Sequence, residues 1–260
     1  MNDSLYIAAT GMHMQQKSVD TIANNMANVN TPGFKRGKVS FEDMVYRDLG
    51  GAGAVAGAPG AQRLWQGSGV AVSSILKSFV AGELKKTDQQ LDLAIQGEGF
   101  VEVVAADGTP AYSRGGNLVI DKDGFLASAG GRPIKPSIHV GTDAKDITIE
   151  ADGRVLVRAR DGASPMEAGR IELVRFADPS GLAALGGNLY QPTERSGDAI
   201  NGRAGEDGFG TFAQGYVEAS NVNLVEEMVD LMVAQRAYES SVKVIQASDE
   251  MLAMSNNLRK

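Results

Sequence analysis

The sequence predicts an α+β fold, with long N- and C-terminal helices pairing as a coiled coil and an antiparallel β-rich domain between them. Three observations carry this expectation. Both ends of the chain repeat apolar residues in alternating steps of three and four, the spacing of a helix face that packs on another helix. The middle consists of short β-prone runs punctuated by Asp-Gly pairs. Between the first helix and those runs lies a stretch almost without large side chains, Gly50 to Gly60 reading GGAGAVAGAPG. The expected divisions are 1–33 and 216–260 for the terminal helices, 34–71 for a linker with a short helix and a Gly/Ala-rich extended stretch, and 72–215 for the β-rich domain.

The N-terminal seam runs through Leu5, Ala8, Met12, Gln15, Val19, Ile22, Met26 and Val29, apolar except at Gln15. It is expected to stop at Asn30-Thr31-Pro32-Gly33, because asparagine tolerates a left-handed cap and proline and glycine cannot continue a helix. Ser40-Phe41-Glu42-Asp43 then has the form of a capping box, which predicts a short helix to about Leu49 with Phe41, Met44 and Val45 on one side. The glycine-rich stretch that follows, with Gly67-Ser68-Gly69, leaves Arg63, Leu64 and Trp65 as its large side chains. Such a chain loses much entropy on ordering. It reads as a flexible linker in an isolated monomer, or as an arm that orders on a neighbour with Trp65 as its anchor.

From Val70 to about Gly215 the runs Phe100–Val104, Leu118–Ile120, Asp146–Ile149, Arg154–Val157 and Ile171–Phe176 are strand-like. Asp107-Gly108, Asp123-Gly124, Asp152-Gly153 and Asp161-Gly162 predict hairpin turns in which both residues take positive φ. The C-terminal seam runs through Leu224, Met228, Leu231, Gln235, Tyr238, Val242, Ile245, Asp249 and Leu252, with polar breaks at Gln235 and Asp249. Asn223 is its N-cap and Glu226 completes the capping pattern. About 32 residues at 1.5 Å each make a rod of roughly 48 Å, which wants a partner of similar length. Periodicity leaves two readings open: a closed helical hairpin on a globular domain, or seams that also meet copies of the same protein.

Composition narrows the function. With 43% hydrophobic and 22% charged residues the chain can bury a sizeable core. A net charge of −7 offers no basic stripe for phosphates, so nucleic acid is not an expected partner. Lys35, Arg36 and Lys38 follow a helix C-terminus, where cations suit the dipole, and read as local capping and surface charge. No cysteine is present, which excludes disulfides, thiolate metal sites and cysteine nucleophiles. Residues Met1 to Thr10 lack the pattern of a secretory signal, and no run has the length of a membrane helix.

No motif for catalysis or cofactors stands up. His13 and His139 are isolated, without metal-ligand spacing. Asp121-Lys122-Asp123-Gly124 opens like a calcium loop but continues with Phe125, Leu126 and Arg132 at positions that need ligands or glycine, so it reads as a turn. Gly97-Glu98-Gly99 has Glu102 where a dinucleotide fingerprint needs its third glycine. No phosphate loop or Gly-x-Ser-x-Gly elbow occurs. A carboxylate-pair glycoside hydrolase on the β domain is the alternative from another class. One tryptophan and 6% aromatics argue against a sugar cleft. A third reading is a binding module whose glycine-rich arm grips a partner.

Several longer motifs carry a resemblance. Ala23-Asn24-Asn25-Met26-Ala27-Asn28-Val29-Asn30-Thr31-Pro32-Gly33-Phe34-Lys35 resembles the N-terminal signature of bacterial flagellar rod and hook proteins. The stretch Gly215-Tyr216-Val217-Glu218-Ala219-Ser220-Asn221-Val222-Asn223, with Glu226-Glu227-Met228 and Gln235-Arg236-Ala237-Tyr238-Glu239, resembles the C-terminal one. Asp92 to Phe100, Ala111-Tyr112-Ser113-Arg114 and Gly116-Asn117 are similar to motifs of the family's β domain. The resemblance spans nearly the whole chain. Length, the Ser4-Leu5 start and Phe41-Glu42-Asp43 are most like distal-rod members, and Tyr46 to Gly69 sits where those carry an extra stretch. A proximal-rod or hook-type member is the alternative within the family.

The resemblance implies a structural, non-enzymatic axial component of the flagellum that needs no cofactor or metal. It implies export through the flagellar type III apparatus without a cleaved signal, then self-assembly in the periplasm into the hollow distal rod of the basal body. Expected partners are other copies of the chain, proximal rod proteins, the hook protein or hook–rod junction, and the surrounding rings. The terminal helices would form the inner core and the β domain the outer wall. The rod would carry torque from motor to hook and let exported subunits pass. Phe41 with Val45 is a candidate export signal, and equally a pair of packing residues. The apolar seam residues are expected to mediate assembly, with termini largely disordered until it occurs.

Overall fold

The computed structural model describes residues 2–44, 46–48, 65–67, 69–142, 144–158 and 164–257. It divides into two compact units, one of Met1–Ala27, Gly37–Leu76 and Asn223–Lys260, the other of Asn28–Arg36 and Lys77–Val222.

In the first unit, helix α1 (Asn2–Ala27) packs on the 34-residue helix α2 (Leu224–Asn257). The pair is antiparallel. Asn25 near the end of α1 bonds to Glu227 at the start of α2, and Gly11 midway along α1 lies against Ser241 midway along α2. A Cβ added at Gly11 would sit 3.7 Å from Ser241 Oγ, so the backbones approach closely there. The face of α2 turned inward carries Glu227, Ala234, Ser241 and Ser248 at seven-residue spacing, with half-buried Leu231 and Ile245 between them and Leu252 one turn beyond. Ser241 and Ser248 donate their hydroxyls to the carbonyls of Ala237 and Val244, so small polar residues sit in this face without unmet hydrogen bonds.

Asn223 caps α2 as expected, its Oδ1 accepting from Val225 N at 3.1 Å. Helix α1 ends at Ala27, earlier than the Asn30-Thr31-Pro32-Gly33 stop, and the left-handed residue is Gly33 at φ 71°, not Asn30. Asn28 accepts from both the amide and the hydroxyl of Thr31, turning the chain before proline would have ended the helix.

The short helix expected from Ser40 to about Leu49 does not form. Residues Gly37–Asp43 are strand β1, and Tyr46–Asp48 are strand β2. Strand β2 pairs antiparallel with β3 (Trp65–Gly67), and β1 pairs with β4 (Val70–Lys77). Gly37 and Val39 are buried while Lys38 is exposed, the alternation of a half-buried strand. A helix of so few residues has little stability of its own, whereas β4 supplies a ready ladder. Val45, most of the glycine-rich stretch, the Trp65 side chain and Asp161-Gly162 lie outside the described residues.

The second unit is built of strands β5 (Leu84–Lys86), β6 (Asp92–Gln96), β7 (Val101–Val104), β8 (Pro110–Ser113), β9 (Gly115–Ile120) and β10 (Leu126–Ser128). They are followed by β11 (Asp146–Ile149), β12 (Arg154–Arg158), β13 (Met166–Arg170), β14 (Leu173–Arg175), β15 (Ala183–Gly186), β16 (Leu189–Gln191), β17 (Ile200–Gly202), β18 (Thr211–Gln214) and β19 (Tyr216–Glu218). Two sheets have the orders β10-β9-β6-β18 and β15-β16-β8-β7, a third is β11-β12-β13, and β14-β17 and β19-β5 are two-stranded. Their pairings are antiparallel.

Three of the Asp-Gly pairs close the hairpins β7–β8, β9–β10 and β11–β12. In each the glycine takes positive φ and the aspartate does not. The amides of Gly108, Gly124 and Gly153 bond to the carbonyls of Ala105, Asp121 and Glu150, three residues back, which makes three-residue loops with a glycine bulge instead of the two-residue turns expected. Asp107 and Asp152 accept from the backbone amides two residues on and Asp121 from that of Lys122, which needs no left-handed aspartate. The core is aliphatic around Leu93, Ile95, Val103, Leu126, Val155 and Leu173. An aromatic cluster of Phe79, Phe100, Tyr112, Phe176 and Tyr190 packs edge to face, with centroids 4.8 to 6.2 Å apart.

Candidate functional site

The signature residues at the two chain ends meet in two polar networks, one in each unit. In the first unit Asn25 is buried. Its Nδ2 donates to the carbonyl of Gly37 at 2.8 Å and to Glu227 Oε2 at 3.1 Å, and its Oδ1 accepts from Gly37 N at 2.8 Å. One amide therefore satisfies both backbone groups of a buried glycine and one oxygen of a fully buried carboxylate. Hydrophobicity could not fix these elements so specifically, since an apolar side chain would leave Gly37 unpaired.

In the second unit the loop after α1 is held by its backbone and one lysine. Gly33 donates its amide to the carbonyl of Glu218 at 2.7 Å, and Asn188 Nδ2 donates to Pro32 O at 2.8 Å. Phe34 is buried under the Lys77 ammonium, 4.4 Å from its ring centre. Lys35 is not the capping surface charge expected: α1 ends eight residues before it, it has no exposed surface, and its Nζ donates to Glu218 Oε1 at 2.6 Å and to Val80 O at 2.8 Å. Glu218 Oε1 also accepts from Gly82 N, and its Oε2 from Arg114 Nε at 3.2 Å. Arg114 Nη1 donates to the carbonyls of Gly97 and Gly99. Asn221 completes the closure, accepting from Arg36 N and donating to Ser78 O and Val80 O.

One buried carboxylate thus serves two buried cations. Burial alone would push the Glu218 carboxyl up, but the Arg114 and Lys35 charges, the Lys35 hydrogen bond and the Gly82 amide outweigh it and hold the group below the usual carboxylate range. Burial lowers Lys35, and the Glu218 charge and hydrogen bond offset this only in part, with Arg114 adding like-charge repulsion. The two directions agree, because the triad carries one positive charge in excess and arginine does not release its proton. Burial, reinforced by the Glu218 charge, pushes the neighbouring Tyr190 hydroxyl up to about 12. Every charged group of the triad is engaged by another buried group, and its chemistry is that of a clamp.

The remaining signature residues lie around these clamps. Asn24 and Asn30 are exposed, Asn28 and Thr31 bond to each other, and Pro32 contributes its carbonyl. Of the seam residues, Ile22 is buried, Leu5, Met12, Val19 and Met26 are half-buried on α1, and Val29 lies beyond its end in the second unit. On α2, Leu231, Val242, Ile245 and Leu252 are half-buried, while Leu224, Met228 and Tyr238 are exposed. Phe41 is exposed on β1. His13 is exposed, and His139 packs edge-on against Phe125. Among the described residues no cluster of acidic or histidine side chains could hold a metal ion, and no helix is long and apolar enough to cross a membrane.

Sequence reasoning missed Arg114, Glu218 and Glu227 as functional residues, although each stands in a motif quoted for the resemblance. A charged residue closing a short strand, as Glu218 does after Val217, is the one local signal available. Its partners are 104 and 183 positions away, and no spacing rule connects them.

The same segments are the ones matched by comparison with known proteins. Residues 5–35 match the family model for the flagella basal body rod protein, residues 94–157 that for the flagellar hook protein FlgE/F/G D1 domain, and residues 213–258 that for the C-terminal region of flagellar basal body rod FlgEFG proteins. The chain is 41% identical to the flagellar basal-body rod protein FlgG of Borreliella burgdorferi, over all of both chains. It is 39% identical to FlgG of Caulobacter vibrioides over 98% of this chain and 99% of that one, and 32% identical to FlgF of the same organism over 96% and 95%. The matches do not favour a glycoside hydrolase, and the FlgG likeness exceeds the FlgF likeness. The chain therefore belongs to the FlgG family of flagellar basal-body rod proteins, structural components of the flagellum and not enzymes.

Proposed function

We propose that the chain polymerises with copies of itself into the hollow distal rod of the basal body. In this reading α1 and α2 act as a coiled-coil inner layer, residues 72–215 form the outer wall, and the assembled tube carries torque to the hook. Proximal rod proteins stand at one end, the hook protein or hook–rod junction at the other, and ring proteins around it. The subunit reaches the periplasm through the flagellar type III apparatus without a cleaved signal, with Phe41 and Val45 as the export segment.

The observation that supports this most is the outward surface of α2. Val225, Val229, Met232, Val233, Val244 and Met251 are between 47% and 69% exposed along one helix. Leu224, Met228 and Tyr238 are also exposed on this helix, outside that row. At about 1 kcal/mol for each of six half-exposed side chains, covering them supplies roughly 6 kcal/mol per helix, ample to drive association when repeated around a tube. Isolated exposed apolar residues are ordinary, but a row of them on one helix is an interaction surface.

The test separates folding from assembly. Met232→Asp and Val233→Asp place charges on the outward surface and should leave the circular dichroism of the monomer unchanged while abolishing tubes in sedimentation and electron microscopy. Ile22→Asp, at a buried position, should damage both. Tubes of normal length from both outward variants would refute the assignment of this surface.

A further inference from the structure

A cleft of about 450 Å³ in the second unit is lined by Lys77, Phe79, Phe100, Arg114 and Arg175, with Glu98 also on its wall. Arg114 is the unusual member. It is 4% exposed, its Nε is taken by Glu218 and its Nη1 by two carbonyls, but its Nη2 is buried without a hydrogen-bond partner among the described residues. A buried guanidinium nitrogen left unpaired is costly, so its persistence calls for an acceptor. Lys77 lines the same cleft, and its ammonium bonds to a carbonyl, Lys35 O at 3.0 Å, and lies over the Phe34 ring, with no carboxylate among the described residues within ion-pair distance. Lys35 and Arg114 share the buried carboxylate of Glu218, while Lys77, which donates to Lys35 O beside them, takes no part in that pairing.

The geometry points to a carboxylate-binding site in this cleft, in which one oxygen of a singly charged organic anion accepts from Arg114 Nη2 and the other from the Lys77 ammonium. Two donors on separate heads suit the two oxygens of one carboxylate. Glu98 places a carboxylate on the wall of the cleft, which disfavours a phosphate dianion. Phe79 and Phe100 offer an apolar wall for the carbon attached to the carboxylate. The carboxylate comes either from an acidic side chain of a second copy of the chain, a source that rests on the assembly reading above, or from a free organic acid.

The probe is acetate. The isotope-labelled full chain, kept monomeric by dilution, is titrated with sodium acetate and, at matched ionic strength, with sodium chloride, while nuclear magnetic resonance follows the Arg114 Nε–H and the amides of Gly99, Phe100 and Ser180. A saturable shift with acetate alone, weakened about tenfold or more in Lys77→Gln, is the expected result. Equal shifts with chloride, no saturation, or an unchanged titration in Lys77→Gln would overturn the site. A second arm measures polymer yield by sedimentation in acetate and in chloride. Acetate-specific inhibition of wild-type assembly, lost in Lys77→Gln, assigns the carboxylate to a neighbouring copy; equal yields alongside a retained titration assign it to a free organic acid. If the chain forms no polymer in either salt, the assembly reading fails while the acetate titration still decides the site.

Discussion

Replacing Glu218 by glutamine isolates the charge of the buried clamp while keeping its shape. The side chain is 2% exposed and faces Lys35, at 0%, and Arg114, at 4%. Glutamine can still accept from the Gly82 amide and from one cation, but two buried positive charges then lack a counter-ion. Removing one partner of a buried pair costs about 3–5 kcal/mol, because the remaining charge is left uncompensated. For a unit of about 150 residues, in which each kcal/mol moves the midpoint by about 2–4 °C, the melting transition of the β-rich unit should fall by roughly 6–20 °C. Calorimetry on the intact chain reads this directly. Adding Lys35→Met to Glu218→Gln should recover part of the loss, since Arg114 then faces no second buried cation; a double variant weaker than the sum of the singles would contradict the charge argument. A shift of less than 2 °C for Glu218→Gln would refute the claim that the triad is a clamp.

Two further outcomes follow from the same geometry. A Cβ on Gly82 would lie 2.0 Å from the carbonyl oxygen of Ala219, so Gly82→Ala must displace backbone beside the triad and should cost about 2 kcal/mol or more in urea unfolding; wild-type stability would show that the segment yields freely. Acid should weaken the wild type through Glu218. Its carboxyl lies lower in the folded chain than in the unfolded one, so its contribution is complete above the unfolded carboxylate value, about 4.3, and is lost as pH falls through the lower folded value. Between pH 5 and pH 3 the unfolding free energy of Glu218→Gln should therefore fall less steeply than that of the wild type, and parallel slopes would count against it.

What the sequence disclosed follows from the range of the interactions involved. Both long helices, the cap at Asn223 and the hairpins at Asp107-Gly108, Asp123-Gly124 and Asp152-Gly153 are local, and each was legible. Strand β1 was not, because Ser40-Phe41-Glu42-Asp43 satisfies a local helix-start pattern while its partner β4 begins at Val70. The inward face of α2 was half legible. Leu231, Ile245 and Leu252 fell on the expected seam, but Ala234, Ser241 and Ser248 look like surface residues until α1 comes close enough at Gly11 to need small ones. Lys35, Arg114 and Glu218 were beyond reach for a different reason, since a buried ion triad has no sequence periodicity at all.

That small-residue interface raises the question of what sets its register. Gly11, Ala234, Ser241 and Ser248 offer little shape to distinguish one alignment of α1 and α2 from another displaced by seven residues. Asn25 does distinguish them. A seven-residue slide would set Ala234 where Glu227 stands and leave the Asn25 Nδ2 one acceptor short in a buried place, a loss of about 1–3 kcal/mol. Polar residues in otherwise featureless helical interfaces fix register in this way. The chain has no cysteine, so the alignment can be read by cross-linking. Gly11→Cys paired with Ser241→Cys brings the two sulfurs within bonding reach and should oxidise readily, whereas Gly11→Cys with Ser248→Cys should not. Introducing Asn25→Ala into both pairs should lower the first yield and raise the second. If the yields of both pairs stay as they were, the register is set elsewhere and the Asn25 network serves stability alone.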